Sequence, residues 1–189
     1  MPRVGLTPDG VVTHALALID EQGPEGLTLA AVAARAGVAT PSLYKHVPGG
    51  LAELRRLLAV RVTGELSTRL AAAAVGRAGD SAVEAVLRAY HTYATEHPHR
   101  YSSLPQAPQP DAELTAAATD LVGVIVTVLR EYGLEGPEVI HAARTVRAVA
   151  HGFASLSNAG AFQLTEDPAV TQTRLIGVLT EGLRAWPKA

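Results

Sequence analysis

Cysteine is absent from the 189 residues, which excludes a disulfide framework and any thiolate metal site and suits a reducing, cytoplasmic setting. Aromatic side chains are scarce, at one Trp, two Phe and five Tyr, so those present in the second half of the chain stand out. No apolar run approaches the ~20 residues that span a bilayer. The N-terminal MPRVGLTPDG lacks the charged-then-apolar pattern of a signal peptide. The expectation is a soluble cytoplasmic protein with no membrane partner.

The signatures of catalysis are missing as well. There is no GxSxG elbow around Ser155, no Walker glycine pattern and no GxGxxG, so neither an activated serine nor a phosphate cradle is in view. His91, His97 and His99 lie close in sequence, with Glu96 the carboxylate beside them. His97 and His99, however, flank Pro98 in a loop and no Cys assists, so the pattern is not read as a metal site. No cofactor and no enzymatic activity are expected.

A strong excess of positive charge is lacking too, since the formal net charge is −2, and phosphate neutralisation by Lys and Arg drives nucleic-acid binding. The distribution is uneven. Residues 1–30 hold Arg3 against Asp9, Asp20, Glu21 and Glu25. Residues 31–77 hold Arg35, Lys45, Arg55, Arg56, Arg61, Arg69 and Arg77 against only Glu53 and Glu65.

What the chain does have is helical periodicity throughout, without strand-like alternation or repeats. Thr7-Pro8-Asp9 reads as a cap, a first-turn Pro and an acidic first turn, so a first helix should run to Gln22 and stop at Gly23-Pro24. The stretch TLAAVAARAGVATPSLYKHV, Thr28 to Val47, is the centre of the reading. Thr28 can cap a helix whose Leu29, Val32, Ala33 and Ala36 form one apolar stripe. Gly37 suits a left-handed turn. Thr40 and Pro41 are expected at the N-cap and first position of the next short helix. There Leu43 and Val47 can face the core while Thr40, Ser42, Tyr44, Lys45 and His46 remain outside. Hydroxyls, a phenol, an ammonium and an imidazole offer donors to phosphates and base edges. The pattern fits a helix-turn-helix with a recognition helix.

AGVATPSLYKHV resembles the DNA-binding motif of the TetR family of bacterial repressors. TLAAVAARAGV is similar to that family's supporting helix and GGLAELRRLLA to the start of its fourth, linking helix. RAVAHGFASLSNAGAF, Arg147 to Phe162, resembles a His-Gly segment in the ligand-binding domain of one subgroup. From about Ala71 to Gly136 the likeness is one of length and helical character. Val47 stands where the family commonly has Phe, which predicts looser packing of the recognition helix. The resemblance implies a homodimer built through the last two helices, a double-stranded operator and a small-molecule effector.

Beyond Val47, Pro48-Gly49-Gly50 marks a boundary. A long helix is expected from Leu51 towards Ala74, with Arg55 and Arg56 near its start within reach of phosphate. Ser81-x-x-Glu84 has capping-box spacing, so a helix should follow to Glu96. His97 to Pro110 is too Pro-rich for a continuous helix and should be a long loop with at most a short turn. Asp111 can cap a helix reaching Tyr132. Because that helix is apolar on more than one face, it is expected at the bundle centre. Gly136-Pro137 and Asp167-Pro168 open the last two helices.

The expected fold is therefore all-α, about nine helices. A three-helix helix-turn-helix domain over residues 1–47 precedes a C-terminal bundle for ligand binding and dimerisation over 48–189. DNA contacts are expected from Arg3, Thr28, Thr40, Pro41, Ser42, Tyr44, Lys45 and His46. Ligand contacts are expected from Tyr90, Tyr93, Tyr101, His151, Phe153 and Phe162, because aromatic and imidazole groups among aliphatic ones commonly line small-molecule cavities. The function expected is a transcriptional regulator, in the main a repressor. The rival readings are a helical ligand- or partner-binding module without DNA recognition, and a small all-α enzyme.

Overall fold

Local capping chemistry sets the first elements of the fold. In the computed structural model, which describes residues 6–105, 107 and 109–187, Thr7 accepts the Gly10 N–H at 3.0 Å and opens α1 (Pro8–Gln22). The six apolar residues expected in its stripe, Val11, Val12, Ala15, Leu16, Leu18 and Ile19, are all buried. A 3-10 turn at Pro24–Gly26 leads to α2 (Leu29–Ala36). Thr28 caps α2 by accepting the Ala31 N–H at 3.1 Å. Gly37 ends it in the left-handed region at φ 67°, where a missing Cβ removes the steric penalty. Then comes α3 (Thr40–Leu43), continued by a turn through His46.

Here one expectation is corrected. Thr40 is the first helical residue and Ala39 is the N-cap, so no side chain caps α3 and Pro41 sits one place further in. The Ser42 N–H closes the turn on the Ala39 carbonyl at 2.8 Å. A Pro inside the first turn removes a donor that needed no cap, which lets the chain enter the helix one residue early.

The long helix is α4 (Gly50–Ala74). Its first turn is closed by Glu53, whose carboxylate accepts the Gly49 N–H at 2.6 Å. Next comes α5 (Gly79–Glu96), which begins two residues before the expected cap. Ser81 is already inside it, donating to the Ala78 carbonyl at 3.1 Å, while Glu84 turns to Arg88 at 2.8 Å. The capping box does not form, because Gly79, at φ 53°, lets the helix start earlier. The Pro-rich stretch contains α6 (Pro98–Ser102). α7 (Ala112–Arg130) follows, its first turn capped by Asp111, which accepts the Leu114 N–H at 2.7 Å. α8 (Gly136–Asn158) and α9 (Pro168–Arg184) complete the chain, the latter capped by Asp167. Among the described residues there are nine α-helices and no strand.

α7 departs from expectation twice. It is 19 residues long with a mean hydropathy of 1.7, long and apolar enough by length and composition to cross a membrane. The sequence reading missed this because Asp120, Gly123 and Thr127 interrupt the apolar run while the average absorbs them. Nor does it lie at a bundle centre, since only 22% of that window is buried. Ile125, Val128 and Leu129 turn inward at helical spacing and Val122 remains 39% exposed.

The chain divides into two compact units, Met1–Thr63 with His97–Thr115, and Gly64–Glu96 with Ala116–Ala189. Sequence places a boundary after Val47, where the recognition segment ends, but packing carries the first unit further. Within it Leu16, Ile19, Val32, Leu43, Val47, Leu54 and Leu58 form the core. Arg100 of α6 reaches Asp20 of α1 at 2.8 Å. Arg56 of α4 pairs with Glu113 at 2.8 Å and Asp111 at 3.3 Å. Those ion pairs tie residues 97–115 to the N-terminal helices. In the second unit α5 lies against α8 and α9, around Leu87, Tyr93, Leu129, Ala142, Ala154 and Leu183.

Candidate functional site

In the first unit α2 supports α3. Val32 and Ala33 of α2 and Leu43 of α3 are buried, and Leu43 and Val47 are wholly inaccessible. Val47, expected to pack loosely in place of a Phe, is thus fully enclosed. Outside this core Tyr44 is 50% exposed. Pro41 and Lys45 are exposed with it, and Thr40, Ser42 and His46 are half-buried. Thr28 is exposed as well. Its oxygen accepts the Ala31 N–H, which leaves its own proton available to a phosphate. Arg3 lies outside the described residues.

The electrostatics of this surface differ from the residue tally. Arg35 forms a two-pronged pair with Glu21, both bonds 2.7 Å. That pairing holds the Glu21 carboxyl below its ordinary pKa and raises the guanidinium's. Arg61 pairs with Asp9, and Arg69 with Glu96 at 2.7 Å. Arg56 is held by Glu113 and Asp111, and Arg77 bonds the Ala73 carbonyl at 2.8 Å. Of the seven cations between residues 31 and 77, Lys45 and Arg55 alone have no such partner among the described residues. The basic excess counted in the sequence is therefore largely spent within the fold, and what remains is concentrated in the turn after α3 and the start of α4.

In the second unit a shallow groove lies between Leu87 and His91 of α5, Val149 and Phe153 of α8, and Gln172 and Ile176 of α9. It has about 10 Å³ of space, room for one water. His91 sets its polarity. Ser157 donates its hydroxyl proton to the Phe153 carbonyl at 2.9 Å, so its oxygen is left to accept from His91 Nε2 at 3.1 Å. This pattern assigns the Nε2–H tautomer. Burial pushes the His91 pKa down, which keeps the ring neutral near pH 7. Phe153 meets His91 edge-on at 5.1 Å and Phe162 in a tilted stack at 5.0 Å.

The ligand residues expected from sequence are only partly brought together. Phe153 lines the groove and Phe162 stacks on it. Half-buried His151 faces Ser155 of its own helix at 3.4 Å. Tyr93 is 1% exposed and committed elsewhere, donating to Glu65 at 3.1 Å with the Arg69 guanidinium 5.8 Å from its ring. Tyr90 is buried, and Tyr101 is buried within the first unit on α6. Sequence reasoning missed His91 and Gln172 as groove residues. The signal was there for Gln172, a polar residue at the head of the buried series Gln172, Ile176, Leu179, Leu183 on α9. Among the described residues no three His, Asp or Glu side chains are placed to hold a metal ion.

Comparison with known proteins covers both units. Residues 11–48 match the family described as bacterial regulatory proteins, tetR family, and residues 83–179 match the tetracyclin repressor-like C-terminal domain. The chain is 36% identical over 167 residues to the uncharacterized HTH-type transcriptional regulator Rv0681 of Mycobacterium tuberculosis, covering 87% of this chain and 76% of that one. It is 34% identical over 167 residues to the HTH-type regulator YobS of Bacillus subtilis, covering 88% and 86%. Among solved structures, the transcriptional regulator SCO7222, a TetR from Streptomyces coelicolor, superposes with a TM-score of 0.76 at 19% identity, over 96% of this chain and 99% of that one. A TetR variant from Acinetobacter baumannii in complex with minocycline does so at 0.72 and 19%, over 97% and 100%. At such identities these two likenesses speak for the fold.

Proposed function

This chain belongs to the tetR family of bacterial regulatory proteins, and from that premise we propose that it is a cytoplasmic repressor that binds a near-palindromic operator as a homodimer and is released by a small-molecule effector. The observation that carries the DNA-binding half is the α3 ridge. Leu43 and Val47 anchor it with no exposure, while Tyr44 and Lys45 stand in solvent. Each ridge enters a major groove, the two lying ~34–36 Å apart on one face of the duplex. Thr40, Pro41, Ser42 and Lys45 meet base edges or a thymine methyl. Thr28, Tyr44, His46 and Arg55 hold phosphates, and Arg3 reaches a phosphate or the minor groove.

Residues 1–47 act as the reader and 48–189 as the effector and dimerisation region, with α8 and α9 forming the dimer. The exposed apolar residues Ile140 and Leu156 of α8, and Val170 and Val178 of α9, support that use, at 44%, 48%, 48% and 68% exposure. So does Gly177, where an added Cβ would meet nothing within 4 Å of the same chain. α4 runs unbroken from Gly50 to Ala74 and serves as the lever between effector and reader. Release requires that the effector bind the wider-spaced state better.

One observation favours a second reading, a helical ligand- or partner-binding module that no longer reads DNA. Most cations beside the recognition segment are consumed by internal ion pairs. An electrophoretic shift with the promoter of the chain's own transcription unit separates the two. A retarded complex at sub-micromolar protein, with two chains per duplex, supports the repressor. No retardation at low salt supports the module.

A further inference from the structure

Gly64 stands inside α4 without a steric reason to be there. A Cβ added to it would meet nothing within 4 Å, and at a helix-interior position Gly is about fivefold less favourable than Ala. Gly123, Gly152, Gly177 and Gly182 share that open surrounding inside other helices, but all four lie within the second compact unit. Gly64 lies at an edge, because the division between the two units falls between Thr63 and Gly64. Each half of α4 is therefore anchored separately. Leu54, Leu58 and Val62 are buried in the first unit, and Arg61 pairs with Asp9. Leu66 and Leu70 are buried in the second, where Glu65 accepts the Tyr93 hydroxyl proton at 3.1 Å and Arg69 pairs with Glu96 at 2.7 Å. Between the ties at Arg61 and Glu65 lie Val62 and Thr63, β-branched and buried, and then Gly64. The Thr68 hydroxyl also donates to the Gly64 carbonyl at 2.9 Å, a back-bond of the kind that weakens and bends helices.

We infer that Gly64 is a hinge built into α4, the turn around it opening and bending while the anchored halves on either side stay helical. Strain passed along a helix that two cores hold collects in the residues that neither core fixes, and glycine gives way there first. The lever is jointed. Its use in moving a reader against an effector region rests on the repressor reading, whereas the hinge itself does not.

Two measurements on the full chain test it. Amide hydrogen exchange compares Glu65 to Thr68, whose helical bonds reach across the turn at Gly64, with Leu57 to Val60 in the same helix. Protection should be lower at Glu65 to Thr68, and Gly64→Ala should raise it there about fivefold while leaving Leu57 to Val60 unchanged. Ala71→Gly, which places the same residue type beyond the anchors at an exposed position, should leave Glu65 to Thr68 unchanged. The second measurement reads bending itself. Because the chain has no Cys, Ala52→Cys and Ala72→Cys, both exposed, give two unique spin-label sites ~30 Å apart along a straight helix. With labelled chains diluted into unlabelled ones, the distance distribution should be broad in the parent and narrow when Gly64→Ala is added. The inference is overturned by equal protection at the two sets of amides, by a Gly64→Ala effect that is equal at both, or by a distribution whose width Gly64→Ala does not change. Operator binding on the same samples keeps the two readings apart. A hinge without operator binding sinks the repressor alone, and operator binding with an unbending α4 sinks the hinge alone.

Discussion

In the recognition segment Leu43 and Val47 turn inward, Tyr44 and Lys45 stand in solvent and Thr40, Ser42 and His46 are half-buried, whereas in α5 and α9 two polar side chains, His91 and Gln172, are drawn in among aliphatic walls. The two regions use polar groups in opposite ways. On the ridge, donors stand ready in water and lose little when a duplex replaces that water. In the groove, two polar side chains sit among apolar ones around a space of about one water. A reader so built can be rigid before its partner arrives.

The strongest way to break the comparison is to remove the ridge's anchor. Leu43→Ala, at a position with no exposure, should cost ~2–5 kcal/mol and abolish operator binding, as measured by urea unfolding and gel shift. A cost below ~1 kcal/mol would mean that α3 is not held as described. Thr28→Ala removes the α2 cap and should cost ~1 kcal/mol, with operator affinity falling further because a phosphate donor goes as well. In the groove the sign reverses: Gln172→Leu should stabilise the free protein by up to ~1 kcal/mol, read as an increase in the urea midpoint.

The smallest effect concerns His91. Its folded pKa lies below the ordinary value because burial disfavours the charged ring. The unfolded chain therefore binds the proton first as pH falls, and stability is full above ~6.5 and is lost on descent through the folded pKa. Melting temperatures at pH 8, 7, 6 and 5.5 should decline over the lower steps in the wild type and decline less in His91→Gln. Equal declines would place the titration elsewhere.

The two regions were also unequally legible in the sequence. The helix-turn-helix could be read because its determinants are local: Thr28 bonds three residues ahead and Gly37 turns the chain by its own φ. The same locality explains the small misses, since one Pro or Gly decides whether Thr40 or Ala39 caps α3 and whether Ser81 caps α5 or lies inside it. The groove is not local. Its members lie up to 89 residues apart, from Leu87 to Ile176, and no periodicity within one helix tells which face meets which. Of the aromatic residues that composition singled out, Phe153 lines the groove, while the Tyr93 hydroxyl donates to Glu65. Charge was misread for a related reason. Arg56 and Arg61 are paired with residues 57 and 52 positions away, so a linear tally credits the surface with charge that the fold has neutralised.

Lys45 is where these arguments converge, as a cation in the turn that continues α3, with no partner among the described residues. Operator affinity measured by fluorescence anisotropy across a salt titration, for the wild type and for Lys45→Ala of unchanged melting temperature, is the most direct test. The account predicts about tenfold weaker binding at ~150 mM salt and a plot of log K against log salt shallower by ~1 for each ridge bound. Identical affinity and slope in the two proteins would contradict it.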